Sequence, residues 1–507
     1  MKNIIKNTFS ILLFVYSFLI LFSSLGIISK YSLQFNLFAL FIALIGIFVI
    51  DPKESKNEKN LYLIFLLSLF FILSFRIIPY LNNSIPLGYD TGIYKYTFES
   101  YKNDLPQQNW EKAGMEPGLF ILGKLFYFLG LETQQILIPV FILFCVLLGF
   151  LIYLITKEYF GKKSAFFSVL FYSVSVVQFK TFAMMYYKTI FALSLLLLSF
   201  FYLKNQKFFL LILTGIMLGI THKQTFFLFG LSFLLFIFSL IIKSKSIKSA
   251  KPFFISGFVI FIFVFFAYLP TFEYSILPYI KPIAKSFIEP GTSPGTFITF
   301  FQYQFLSLSF LPLVILGLFI LIKQKNFNII FFSEITLLII VYFQFFFFNR
   351  FIIHLDILAI ILASISIDFI PKNNLSRISM FLLILSALIL IYNASISSRP
   401  LILQEELKEI QILSQTEQNS YVLSISSKYS PWLLGYSKRK TIAPGLFDYD
   451  KHNKTEWLKF QKTNNITQIR NFLDEYEKPL YIFSPESSHF KNECFQNYSK
   501  MIYKYIC

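Results

Sequence analysis

The chain alternates long apolar runs with short polar breaks from its first residues to about Arg399, and then changes character. A helix needs about 20 mostly apolar residues to cross the hydrocarbon core of a bilayer. Thirteen stretches approach or meet that requirement, near 4–28, 31–50, 61–80, 132–156, 164–179, 187–203, 207–221, 224–242, 252–270, 301–322, 327–348, 350–369 and 377–396; of these, 164–179 and 207–221 are short. Residues 400–507 follow other periods. Segments 401–415, 453–462 and 467–477 read as helices, and 421–426, 440–443, 480–483 and 501–506 as short strands. The pattern predicts an all-α polytopic membrane domain over 1–399 and a small α/β domain over 400–507. The first run reads as an uncleaved anchor: it is long, lacks a small-residue cleavage site and is soon followed by another span. No internal repeat marks the inverted halves of a transporter.

Composition sharpens this picture. The chain is 56% hydrophobic and 14% charged, with 68 phenylalanines, whereas soluble domains carry about 25% charged residues. The net charge of +18 sits largely in short loops, at positions such as Lys157, Lys162, Lys163, Lys204, Lys207, Lys243, Lys245, Lys323 and Lys325. Lysine so placed orients a membrane protein. It is not a basic stripe interleaved with aromatics, so nucleic acid is not an expected partner. The bias places the N-terminus in the cytoplasm and, with an odd span count, the C-terminal domain outside the cytoplasmic membrane. Two outer loops are then long, 81–130 and 271–300, and long ordered loops carry function. Cys145 lies in an apolar run. Cys494 and Cys507 pair if the tail meets an oxidising compartment, or remain two thiols. No spacing suits a zinc site. Asn82, Asn453, Asn465 and Asn497 each open an Asn-x-Ser/Thr triplet, as chance allows in so asparagine-rich a chain.

Candidate chemistry gathers at the outer ends of the spans. Asp90 follows a span and a Pro/Gly turn in Ile85-Pro-Leu-Gly-Tyr-Asp-Thr-Gly-Ile-Tyr-Lys-Tyr96. A carboxylate there can act as a base on a lipid-linked substrate, or simply cap the helix that follows. Glu99, Asp104 and Glu111 read as solvated. Glu116 precedes a proline turn opening an apolar, interfacial stretch. Lys188, His222, Lys223, Arg350 and His354 form a cationic group near the same boundary. Ionisable groups in spans cost about 2.5–3.5 kcal/mol on insertion scales and default to a functional reading. Arg350 and His354 are four apart and share a helix face, which suits a lipid phosphate. Lys188 by itself reads as snorkelling or a salt bridge. Asp356 and Glu334 lie within spans as proton sites or structural partners.

Four segments resemble the GT-C membrane glycosyltransferases, which take sugars from polyprenyl-phosphate carriers. They are Gly88-Tyr-Asp-Thr-Gly-Ile-Tyr94, Glu116-Pro-Gly-Leu-Phe-Ile-Leu-Gly-Lys124, Leu213-Thr-Gly-Ile-Met-Leu-Gly-Ile-Thr-His-Lys223 and the span from Arg350 to Ala363. In the tail, Ser430-Pro-Trp-Leu-Leu-Gly-Tyr436 sits where oligosaccharyltransferases carry a Trp-Trp-Asp-Tyr-Gly motif, without its aspartate and second tryptophan. The resemblance implies an inverting, mannosyltransferase-like enzyme that acts on a dolichyl- or other polyprenyl-phosphate sugar. Asp90 matches the catalytic carboxylate. Arg350, with His222, Lys223 and His354, matches groups near the lipid phosphate, and Tyr89, Tyr94, Glu116 and Lys188 join the substrate-binding set. The acceptor is a glycan, lipid or protein of the cell envelope. No paired Asp-x-Asp motif marks a metal, so no cofactor is expected beyond the donor. A flippase for a lipid-linked glycan and a membrane scaffold with an envelope-binding tail are the rival classes.

Overall fold

The computed structural model describes residues 2–27, 32–49, 61–100, 111, 114, 116–277, 298–345, 348–443, 451–463, 465–485 and 493–507. Asp104 and most of the loop expected at 271–300 lie outside them.

Each predicted span coincides with an apolar helix or a bent pair of helices. The first part of the body contains α1 (Lys2–Ser24), α2 (Ser32–Val49), α3 (Leu61–Ile77), α4 (Thr91–Ser100) and α5 (Pro117–Phe128). It continues through α6 (Thr133–Phe160), α7 (Lys162–Ser173), α8 (Val176–Ala183), α9 (Tyr187–Lys204), α10 (Phe208–Thr221), α11 (Lys223–Ser244) and α12 (Lys251–Tyr268). The last helices of the body are α13 (Phe300–Leu306), α14 (Leu311–Lys323), α15 (Ile329–Tyr342), α16 (Phe348–Ser366) and α17 (Asn374–Ser397). Among the described residues 8 helices are long and apolar enough to cross a membrane, or 10 if each bent pair counts as one span. The other three predicted spans, at α2, α10 and α15, are shorter apolar helices.

The bends have local causes. The α7–α8 pair turns by 51°, and Ser175 caps α8 at the break by accepting from the Gln178 amide. The α13–α14 pair turns by 89°, with Pro312 in the first turn of α14. Helix α16 runs through the middle of the bundle, with 89% of its span window buried, whereas α12 buries 28% and leaves a row of phenylalanines facing outward. A helix covered all round has no lipid-facing stripe, so the polar residues of α16 face other helices.

The tail holds α18 (Gln404–Ile412), β1 (Tyr421–Ser424), α19 (Ser430–Tyr436), β2 (Lys440–Thr441), α20 (Lys454–Lys462), α21 (Ile466–Leu473), β3 (Leu480–Phe483), β4 (Phe495–Ser499) and β5 (Ile502–Tyr505). The sheet order is β2-β1-β3-β5-β4, parallel across β2, β1 and β3 and antiparallel across β3, β5 and β4. Asn453 and Asn465 of the Asn-x-Thr triplets are N-caps, accepting from the amides of Thr455 and Glu456 and of Thr467 and Gln468. Strand β4 was not among the expected strands. Cys494 and Cys507 form a disulfide, so of the two alternatives the paired one holds; it ties the start of β4 to the residues after β5.

The tail docks on the body by direct backbone contact. A Cβ added at Gly92 in α4 would lie 1.8 Å from the Pro431 carbonyl oxygen, and one at Gly435 would lie 2.4 Å from the Gly92 oxygen. Helices α4 and α19 therefore cross where neither has a side chain. Overpacking of a tight contact costs about 1–3 kcal/mol, and here the obstacle is backbone, which yields least. Gly92→Val is expected to lower the melting temperature in detergent by several degrees and to expose 400–507 to limited proteolysis. Unchanged melting and cleavage would show that the contact is dispensable.

Candidate functional site

The turn before α4 is shaped by glycines on both sides of Asp90. Gly88 has a φ of 86°, and a Cβ there would meet the Met184 backbone at 2.6 Å. Only glycine takes that conformation at no steric cost. Thr91 Oγ1 donates to the Leu87 carbonyl, and Tyr89 donates its hydroxyl to the Ser427 carbonyl at 2.9 Å. The turn is thus held from inside and from the tail. The Asp90 carbonyl accepts from the Tyr94 amide at 2.9 Å. Among the described residues the helix amides make no hydrogen bond to the Asp90 carboxylate, so the carboxylate is not spent as a cap. It is half-buried. Burial raises its pKa above the ordinary range, and Lys188 and Arg350 act on it in the opposite direction.

Lys188 stands in the first turn of α9. Its ammonium donates to both Glu116 oxygens, at 3.1 and 2.8 Å, and to the Gly114 carbonyl at 3.0 Å. The salt-bridge reading of Lys188 holds, and the partner is a buried carboxylate. Glu116 is in place because α5 begins against the end of α10: a Cβ at Gly118 would lie 2.4 Å from Thr221 Oγ1. His222 occupies the turn between α10 and α11. Burial holds its imidazole well below the usual range, and Lys188, His354, Arg350 and Lys223 push the same way. Its Nδ1 lies 2.7 Å from Thr225 Oγ1, which lies 2.7 Å from His354 Nε2. Lys223 donates to the Ser275 carbonyl at 3.1 Å and sits 5.6 Å from the centre of the Tyr268 ring.

The structure therefore brings Asp90, Glu116, Lys188, His222, Lys223, Arg350 and His354 to one locality. Tyr89 is turned to the tail. Tyr94 packs its ring on Tyr187, with ring centres 5.6 Å apart, while its hydroxyl lies 3.5 Å from the Lys188 amide and near the charges of Asp90 and Glu116, so it stays with this group. Asp356 accepts from Ser175 at 2.8 Å and from Gln178 Nε2 at 2.9 Å, so it serves the α7–α8 break as a structural partner. Glu334 is buried with both oxygens lacking a hydrogen-bond partner among the described residues. Sequence reasoning passed over Thr225 and the fully buried Arg76, which lies over the rings of Tyr172 and Phe182 at 5.4 and 5.8 Å. The rule that ionisable groups in spans matter would have marked Arg76. Among the described residues no three His, Cys, Asp or Glu side chains gather to hold a metal ion. A separate cleft of about 610 Å³ lies between the C-terminal end of α4 and the tail, lined by Tyr96, Gln418, Tyr421, Lys438 and Lys440 among others.

The Lys188–Glu116 pair can be tested as a pair. Removing one member of a buried polar pair leaves the other unsatisfied, which costs about 1–3 kcal/mol. Lys188→Met is expected to lower the melting temperature, and adding Glu116→Gln to restore part of the loss. Two additive losses would show that the groups do not support each other.

Residues 117–269 match a family model described as dolichyl-phosphate-mannose-protein mannosyltransferase. Three solved structures cover most of the chain. The Archaeoglobus fulgidus oligosaccharyltransferase in its apo form aligns at a TM-score of 0.62 and 13% identity, over 85% of this chain and 70% of that one. The archaeal oligosaccharyltransferase AglB of the same organism, in complex with an inhibitory peptide and a dolichol-phosphate, aligns at 0.59 and 12%, over 83% and 69%. ArnT from Cupriavidus metallidurans, bound to undecaprenyl phosphate, aligns at 0.58 and 11%, over 87% and 97%. No curated protein matches the chain. The chain has the GT-C fold of these membrane glycosyltransferases.

Proposed function

We propose that this GT-C-fold chain is a glycosyltransferase that moves a hexose, in the first instance mannose, from a polyprenyl-phosphate carrier to a hydroxyl on an envelope glycan, lipid or protein. One observation carries the reading: a half-buried carboxylate, Asp90, stands uncapped on a rigid turn with Lys188 and Arg350 as the cations acting on it. The fold shared with proteins solved with dolichol-phosphate and undecaprenyl phosphate supports a lipid-linked donor. The mannosyltransferase family model over 117–269 supports the choice of sugar.

In the proposed step Asp90 accepts the proton of the acceptor hydroxyl, whose oxygen attacks the anomeric carbon as the bond to the carrier phosphate breaks. A single displacement inverts the anomeric centre. Arg350 receives the departing phosphate as a bidentate fork, with Lys223, His222 and His354 behind it. Fixed cations stabilise charge as it develops and need not reorganise. Glu116 keeps Lys188 from pairing fully with Asp90, which leaves the base available. The step as proposed runs without a resident metal ion. The tail, docked on the Asp90 helix, then stands on the acceptor side, which lysine bias assigns to the extracytoplasmic face of the plasma membrane.

A positioned general base contributes about 10²–10⁴ in rate. With reconstituted protein, a panel of polyprenyl-phosphate sugars and host membrane extract, Asp90→Asn is expected to lose turnover by at least that lower figure while keeping its fold. Arg350→Ala is expected to lower kcat more than it raises acceptor KM. Equal transfer by wild type and Asp90→Asn would remove Asp90 from the mechanism. Movement of lipid-linked sugar between leaflets without transfer would favour a transporter.

The pH profile gives a second check. Because Asp90 is raised in the folded protein, it keeps its proton to a higher pH than a carboxyl in the unfolded chain. It becomes a competent base only above that raised value. The acid limb of kcat/KM is expected above the ordinary aspartate value of about 3.9, falling about tenfold per pH unit below it. A flat profile down to pH 4 would contradict the assignment.

A further inference from the structure

The turn between α11 and α12 reads Lys243-Ser-Lys-Ser-Ile-Lys-Ser-Ala-Lys251. Its four lysines are exposed, and among the described residues none of them makes an ion pair. The chain offers them no acid nearby in sequence, since no aspartate or glutamate occurs between Glu158 and Glu273. Exposed Lys204 and Lys207 stand at the same end of the bundle, because the start of α10 meets the start of α12 through Phe208 and Phe253, with ring centres 5.2 Å apart. Helix α11 has 22 residues, so the turn lies about 33 Å along its axis from Lys223. It therefore belongs to the membrane surface opposite the candidate site and the tail.

Hydrogen bonds brace the turn from within. The Ser244 and Ser249 hydroxyls lie 2.6 Å apart, and Ser249 donates to the Ser246 carbonyl at 2.8 Å. The amides of Ser246 and Lys248 donate to the hydroxyl oxygens of Ser244 and Ser246, each at 3.3 Å. The serines thus satisfy one another and the backbone, and the lysines are left facing outward. Among them Ile247, in a short 3₁₀ turn, is 74% exposed. So brief a link between two spanning helices stays at the level of the lipid headgroups, so Ile247 meets the lipid boundary and not bulk water. Orienting a membrane protein needs the charges alone. It does not need a braced turn or an apolar tip. We propose that the 243–251 turn binds anionic phospholipid headgroups, whose phosphates meet Lys243, Lys245, Lys248 and Lys251 while Ile247 enters the edge of the acyl layer. Lysines placed just beyond a spanning helix attract anionic lipids over a Debye length, and lysine stems can lie along apolar surface while the ammonium stays with the phosphates. The inference is independent of the transferase reading, because the turn and Asp90 lie at opposite membrane surfaces.

The test uses the full chain purified in a non-ionic detergent and titrated with phosphatidylglycerol or phosphatidylcholine, with bound lipid counted by native mass spectrometry. Wild type is expected to retain phosphatidylglycerol in preference. The preference is expected to fade as salt rises from about 0.1 to 1 M, where the Debye length falls from about 10 to 3 Å. Lys245 closes α11 in the left-handed region, at a φ of 51°, where glycine sits at no steric cost. Lys245→Gly therefore removes a charge without disturbing the fold. With Lys248→Gln added, two lysines at about fivefold each are expected to weaken phosphatidylglycerol binding about twentyfold. Lys325 takes the same backbone conformation after α14, at a φ of 52°, so Lys323→Gln with Lys325→Gly is the matched control and is expected to keep the preference. Ile247→Ser is expected to weaken retention several-fold with the charge unchanged. Equal retention of the two lipids by wild type, or an equal loss in both double variants, would overturn the site. Displacement of the lipid by inorganic phosphate at the same phosphate concentration would assign the turn to a soluble anion and overturn the lipid as its partner. Unchanged retention in Ile247→Ser would overturn the role of the apolar tip.

Discussion

The crossing of α4 and α19 at Gly92 and Gly435 is the contact on which the candidate site depends. Two helices approach until backbone meets backbone, which is possible only where both lack a side chain. The crossing sits two residues after Asp90, and Tyr89 reaches across to the Ser427 carbonyl just before it. The turn that presents the carboxylate is thus clamped between the membrane body and the tail. Behind it, Gly88 allows a left-handed turn against the Met184 backbone. A functional side chain held by neighbours on both sides loses little freedom on binding, and here the polar tail supplies one of those sides.

Charge is arranged around this clamp so that buried ions have partners. Glu116 is nearly inaccessible and accepts at both oxygens from the Lys188 ammonium, which also donates to the Gly114 carbonyl. Asp356 lies deep in the bundle but accepts two hydrogen bonds at the α7–α8 break, where the capped start of α8 offers donors. A carboxylate in such surroundings costs several kcal/mol unless paired or hydrogen-bonded. Arg76 meets the same cost with the rings of Tyr172 and Phe182 and the Ile72 carbonyl at 3.3 Å. Asp90 differs from all of these, because its carboxylate is half-buried and receives no hydrogen bond from the helix it precedes. Glu334 also lacks a hydrogen-bond partner among the described residues, but it is sealed within the bundle, whereas Asp90 is half-exposed at the turn before α4.

The tail also answers a problem of its own. Its sheet has a two-residue strand at one edge and β4 at the other, and short edge strands offer little template for unwanted pairing. The Cys494–Cys507 disulfide fastens the start of β4 to the residues after β5.

The sequence by itself determined the membrane body, the position of its helices and most elements of the tail. Those are local properties: a run of apolar residues partitions into a bilayer, and a period of 2 or 3.6 marks a strand or helix, whatever lies elsewhere. Strand β4 escaped because its central residues are exposed, so it lacks the alternation that marks a half-buried strand. The residue types of the site were legible too, since ionisable groups at span ends stand out against so apolar a background. Only the tertiary structure decided which of them meet. Lys188 and Glu116 are 72 positions apart, Asp356 and Gln178 are 178 apart, and Thr225 and His354 are 129 apart. Such pairings depend on how each helix is rotated and where it bends, which no local transfer energy encodes. Tyr94 shows the difference most simply. Its motif placed it beside the candidate base, and only the rotation of α4 decided that its ring would pack on Tyr187 with its hydroxyl 3.5 Å from the Lys188 amide, 94 positions away.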